Sequence, residues 1–198
     1  AATYLRAARG RPNLTIVTRA FARRILFDGL SAVGVEYSRD GSVEQAFADG
    51  EVVLSGGVFN SPHLLMLSGV GDADHLRALG LDVRLDLKGV GLNFHDHLGF
   101  SVQVACPLPV SDYRYMNPLG AALAAGRFVF GGKGPLVAEP VEAVAIVNSG
   151  VAGTDFPDLK FQLVPLMVDG NGGKVIPGHG AMNRMALARP ESRGTIRL

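Results

Sequence analysis

The first sixty residues alternate between short apolar runs and polar turns. Residues 14–18 (LTIVT), 22–28 (ARRILFD), 32–38 (AVGVEYS) and 50–55 (GEVVLS) are rich in the β-branched side chains that favour pleated strands. Asp28-Gly29, Asp40-Gly41 and Asp49-Gly50 punctuate them, and Asp-Gly pairs mark tight turns. The pattern predicts a β-meander leading into a last strand. After Glu51 that strand is continuously apolar, Val52-Val53-Leu54, as expected of a strand covered on both faces in a parallel sheet.

A helix comes next, with Ser61 expected as its N-cap, Pro62 at its first position and Ser68-Gly69 at its end. A second is predicted over 72–79, with Leu76 and Leu79 as its apolar edge and Gly80 as its stop. The run LDVRLDLKGVG then reads as a strand and a glycine turn. Beyond Asn93-Phe94-His95-Asp96-His97 the texture changes. GFSVQVACPL alternates as a strand, PLGAALAAGRFVFGGKG reads as a helix to about Phe130, and VEAVAIVN and PDLKFQLVPLMV read as two further strands. Glycine and proline dominate from Asp169 to Gly180, which predicts a covering loop. The change of texture places a domain boundary near 97, dividing residues 1–97 from 98–198. The fold class expected is α/β in the first part and α+β in the second, the latter with a mainly antiparallel sheet and helices. The chain opens in what reads as mid-helix and closes in a β-rich run, Thr195 to Leu198. A piece of a longer polypeptide is therefore expected.

Composition removes several function classes. Of 198 residues, 47% are hydrophobic and 19% charged, with a net charge of +1, so nothing in the charge balance attracts nucleic acid. Arg19, Arg23 and Arg24 are the one basic cluster and read as a solvated face. Leu136 to Val147 is interrupted by Glu139, Pro140 and Glu142 and falls short of the roughly 20 apolar residues a spanning helix needs. The single Cys106 fits a reducing, cytoplasmic setting and reads as a small buried hydrophobe.

Candidate chemistry begins at the end of the run 50–55. Ser55, Gly56 and Gly57 sit where an open α/β sheet binds nucleotides, at a strand's carboxyl end; a plain turn using glycine for positive φ explains them as well. Ser61 and His63 offer a hydroxyl and a base, yet FNSPH lacks both glycines of a nucleophile elbow. His95 and His97, two apart, invite a zinc reading that no nearby Cys, His or Glu completes. Glu142, in a run predicted to alternate, is either a carboxylate facing a pocket for a cationic alcohol or a solvated strand edge. Phe161 and Gln162, one strand later, are candidates for the same pocket, with core packing as the other explanation of Phe161.

The run Gly57-Val58-Phe59-Asn60-Ser61-Pro62-His63-Leu64-Leu65-Met66-Leu67-Ser68-Gly69-Val70-Gly71 resembles the second signature of the glucose–methanol–choline (GMC) oxidoreductases, flavoenzymes that oxidise alcohols. Val58 departs from it, since the family prefers a small residue there. NLTIVTRAFARRILFDG, AVGVEY, HLRALGLDVRLDLKGVGLNFHDHLG, PDLKFQ and RPESRGTIRL extend the resemblance over nearly the whole chain. It implies part of a FAD-binding domain joined to part of a substrate domain. It also implies that Ala22 meets the adenine end of FAD through its backbone, with Ser55, Gly56, Gly57 and Ser61 beside it. Asn93, Asp96 and His97 would lie between the two domains near the cofactor, with structural hydrogen bonding as the alternative for all three. Neither Gly56-Gly57, Gly69-x-Gly71 nor Gly89-x-Gly91 forms the GxGxxG fingerprint that anchors the pyrophosphate. The resemblance places that fingerprint before this stretch and the proton-transfer histidine past Leu198, so no catalytic residue is expected here. The chain alone is expected to be inactive and to keep no FAD. A small-molecule alcohol is the implied substrate; which alcohol, and which electron acceptor, the residues leave open. The rival class is a binding module that keeps this scaffold without flavin chemistry.

Overall fold

Two of the three expected Asp-Gly turns, Asp28-Gly29 and Asp40-Gly41, close hairpins, and Asp49-Gly50 does not. In the computed structural model, which describes residues 3–137, 141–151, 153, 155–169 and 174–198, a short helix α1 (Tyr4–Ala8) precedes strands β1 (Ala20–Asp28), β2 (Ser31–Arg39) and β3 (Ser42–Phe47). These three form an antiparallel sheet in chain order. Asp40 and Gly41 have φ of 47° and 85°, the doubly left-handed turn that matches strand twist and that Asp-Gly adopts readily. β3 occupies a stretch for which the apolar pattern predicts only a turn.

Residues 14–18 and 51–54 carry no ladder assignment. Val53 is 73% exposed, so the expectation of a strand buried on both faces is corrected. A parallel strand is covered only when its neighbours lie beside it, and no strand pairs with 51–54 among the described residues. Helix α2 (Gly57–Leu67) comes next, then strand β4 (Val70–Gly71), helix α3 (Ala73–Ala78) and strand β5 (Leu85–Asp86), which pairs parallel to β4. Asp72 caps α3 by accepting the Asp74 and His75 amides, and those bonds hold its carboxyl below the usual range. Leu76 is fully buried beneath this turn.

The chain divides into two compact units, Ala1–Phe94 with Arg193–Leu198, and His95–Ser192. The last six residues thus belong with the first unit. In the second, β6 (Gly99–Ala105), a 3₁₀ turn (Asp112–Tyr115), α4 (Pro118–Gly131), β7 (Ala143–Val147), β8 (Leu159–Val164) and β9 (Gly180–Leu187) occur in order. The four strands form an antiparallel sheet ordered β6-β9-β8-β7. Its central strand β9 went unread in the sequence. AMNRMAL has no β-branched residue, and two flanking ladders override its weak intrinsic preference. α4 starts on an Asn117 cap and ends at Gly132 in the left-handed region, close to the expected end. Of the glycine-rich stretch read as a covering loop, residues 170–173 lie outside the described residues.

Candidate functional site

α2 begins five residues earlier than the sequence suggests. The backbone turns at Gly56 (φ −78°) into Gly57 (φ +80°), a left-handed value that a side chain would strain. Ser61 is therefore inside the helix and is not its N-cap, and Pro62 lies within the helix as well. The Ser61 hydroxyl still serves the helix start, because its Oγ accepts the Gly56 amide at 3.0 Å. At the other end Ser68 Oγ accepts the Ile25 amide of β1 at 2.8 Å and donates to the Leu64 carbonyl. These bonds set α2 against the meander.

Between the start of β1, residues 52–56 and α2 lies a groove of about 390 Å³, lined mostly by apolar side chains. Ala22, Ser55, Gly56 and Ser61 all line it, and Gly57 adjoins it as the first residue of α2. The structure thus gathers into one place four of the residues that the resemblance assigns to FAD. β1 shifts register between Ala22 and Arg24, a bulge of the kind that re-aims a strand beside a functional site. Just past it, Arg24 and Arg23 converge on Glu36 at 2.9 and 3.7 Å. Arg24 holds the Glu36 carboxyl below its usual range. Two members of the basic cluster therefore share an anion, while Arg19 lies 3.8 Å from Asp40.

Asn60 and His63 also line the groove, and the sequence reading gave neither a cofactor role. The helical spacing of 56, 60 and 63 was the available signal, obscured by placing the helix start at Ser61. Ser61 and His63 are each engaged elsewhere, Ser61 with Gly56 and His63 with the Arg197 carbonyl, so they do not form a nucleophile and base.

The remaining candidates are not among the residues that line the groove. Asn93 belongs to the first unit and sits at φ +59°. Asp96 and His97 belong to the second, where Asp96 accepts the His97 amide at 2.7 Å and His97 Nδ1 bonds the Leu187 carbonyl at 2.8 Å. Among the described residues, no group of three His, Cys, Asp or Glu could hold a metal ion. Glu142 is exposed just before β7. Its amide donates to the Leu163 carbonyl while Ala143 is the register partner of that same Leu163. Val144 and Ile146, the alternate residues after Glu142 in that run, are exposed. Phe161 lies between Ala145 and Met185, and Gln162 between Val144 and Arg184. As successive strand residues they point to opposite faces of the sheet, so one face cannot carry both.

No helix among the described residues is long and apolar enough to cross a membrane. Residues 1–99 match the family described as GMC oxidoreductase. The oxygen-dependent choline dehydrogenase of Staphylococcus saprophyticus is 39% identical over 195 residues, covering 98% of this chain and 34% of its own length. That of Pseudomonas aeruginosa is 41% identical over 198 residues, covering 98% and 35%. The chain therefore spans about a third of the length of these relatives. Among solved structures, formate oxidase of Aspergillus oryzae RIB40 superimposes with a TM-score of 0.84 at 22% identity, covering 93% of this chain and 37% of that one. Pyridoxine 4-oxidase from Mesorbium loti gives 0.74 at 26%, covering 97% and 34%. With half of its residues matched by the family and the same fold in these two oxidases, the chain belongs to the GMC oxidoreductases.

Proposed function

We propose that this chain supplies part of the FAD site and part of the substrate domain of an oxidoreductase acting on the CH–OH group of an alcohol. The observation that carries the reading is the convergence of Ala22, Ser55, Gly56 and Ser61 on one groove at the start of α2. The chemistry of that groove suits the adenine end of the cofactor. Apolar walls from residues 52–54 accept a flat ring. The strand backbone at 20–22 presents N–H and C=O groups to a ring edge. The first-turn amides of α2 need partners outside the helix and favour negative charge. A Cβ on Gly56 would stand 3.0 Å from Asn60 Cβ and 3.2 Å from the Ser61 amide, so glycine also keeps this turn closed. When bound, FAD supplies the redox chemistry; the residues here bind it and orient it.

Choline, the substrate in the relatives' names, is the first candidate alcohol. Exposed Glu142 offers a carboxylate to such a cation, and either Phe161 or Gln162 joins the pocket according to which sheet face lines it. Asn93, Asp96 and His97 serve as joints near the cofactor in this reading, and the two units, Ala1–Phe94 with Arg193–Leu198 and His95–Ser192, as portions of the two domains. The lone cysteine supports a cytoplasmic, reducing location. Hydrogen exchange on the full-length protein, with and without excess FAD, tests the groove. FAD should slow the amides of residues 20–22 and 55–61 and leave those of β7 and β8 unchanged. Protection absent from 20–22 and 55–61 removes the groove from the cofactor site.

A further inference from the structure

Two contacts on the flank of α2 have no part in the cofactor reading. Phe59, in the first turn, packs its ring against Phe94 with centroids 5.5 Å apart. One turn later His63 Nε2 hydrogen-bonds the Arg197 carbonyl oxygen at 3.1 Å, which requires the proton to be on Nε2. The residues reached are themselves tied together. Phe94 and Gly194 exchange both backbone hydrogen bonds, at 3.0 and 2.6 Å, and the Ile196 amide donates to the Gly91 carbonyl at 2.7 Å. Gly91 has φ +80°, and a Cβ there would run into the Ile196 carbonyl, so only glycine permits the approach. A two-stranded clasp of residues 91–94 and 194–197 thus lies along the helix that borders the groove, all of it within the first unit.

We propose that His63 is a positioning residue for the cofactor groove, fastening α2 to this clasp through Arg197 and so fixing where Gly56 and Ser61 stand. The functional consequence rests on the proposed FAD site, and the mechanics rest on the hydrogen-bond geometry. His63 is suited to the task because its ring fills part of the groove wall while one nitrogen reaches across to a carbonyl. Ser61, two residues away, spends its hydroxyl on Gly56. The helix start and its flank are therefore anchored separately, and loss of the second anchor frees the helix to shift without unfolding it.

Two measurements separate this role from the flavin reading. In hydrogen exchange on the chain, His63→Ala should speed exchange of the Ile196 amide and of the first-turn amides of α2 by about three- to tenfold, as loss of one hydrogen bond implies. His63→Gln, which retains an N–H donor, should stay within about twofold of the parent. Unchanged exchange in His63→Ala overturns the proposal whether or not FAD binds. In the full-length protein, FAD titration followed by flavin fluorescence should give a Kd raised about three- to tenfold in His63→Ala and restored in His63→Gln. The thermal midpoints of the apo forms should agree within about 2 °C. Equal losses in both variants, or a midpoint that falls in step with affinity, overturn the positioning role. A parent protein that takes up no FAD at saturating concentration overturns the flavin reading, and the exchange experiment then decides His63's hold on α2 by itself.

Discussion

α2 and α4 are both apolar helices that begin with glycine or proline, yet their penultimate residues meet opposite fates. Met66 of α2 is 2% exposed and Phe130 of α4 is 92% exposed. The difference lies in the segments beside and beyond each helix. After α2, Ser68 bonds β1, and Gly69, at φ +83°, turns the chain so that its carbonyl accepts the Arg84 and Leu85 amides. After α4, Gly132 closes the helix locally by donating to the Phe128 carbonyl. The 3₁₀ turn is held close to its start, where a Cβ on Gly120 would strike Arg114 and Tyr115 backbone. Of its residues only Gly120 and Ala124 are buried. Hydrophobicity sets how much surface a helix can bury; the bonds beside it decide how much it does.

Substitutions at the two helix ends should separate these cases. Gly69→Ala combines a positive φ with a Cβ placed 2.5 Å from the Asp82 carbonyl, and should cost about 3 kcal/mol or more in urea unfolding. A loss under about 1 kcal/mol would mean that the turn after α2 yields easily. Ser68→Ala deprives the Ile25 amide of its acceptor and should cost about 1–3 kcal/mol, with faster exchange at Ile25 as its local sign. On α4, Asn117→Ala removes the side chain that accepts the Gly120 amide. It should cost about 1 kcal/mol, read as lost helicity in that segment. Gly126→Ala works the other way, because nothing lies within 4 Å of the added Cβ. It should stabilise α4 by about 0.5–1 kcal/mol.

The smallest effect concerns acid. Asp72 beside α3 and Asp158 in the second unit both have carboxyls held below the ordinary range, Asp72 by the His75 amide and Asp158 by the Ser149 hydroxyl. A depressed folded-state value means stability that is present above the unfolded pKa and is lost as pH falls through the folded one. Unfolding measured below the normal carboxylate range should therefore show both units weakening. Asp72→Asn should flatten the acid slope of the first unit only. An equal slope in wild type and variant would show that Asp72 contributes nothing to it.

What the sequence revealed tracked local chemistry. Asp40-Gly41, the helix predicted from residue 72 and the end of α4 were legible because each is decided within a few residues. β9 was not, since its strand character comes from β6 and β8 on either side. The start of α2 was misplaced because Ser61-Pro62 is a good helix opening, and only the observed turn at Gly56-Gly57 shows an earlier one. Ala22 could not have been singled out by its chemistry, an alanine methyl carrying none; the family resemblance alone pointed to it. His63 was noticed for its imidazole, and its partner, 134 residues away along the chain, left no mark on the local pattern.

The paired backbone bonds between Phe94 and Gly194 bring the exit and the re-entry of the second unit side by side. Whatever is threaded between them begins and ends at nearly one point, so the entropy of closing that loop grows only with the logarithm of its length. Such a gate tolerates exchange of its cargo. The ninety-odd residues between could lengthen, shorten or be replaced during divergence while the flank of α2 keeps its shape.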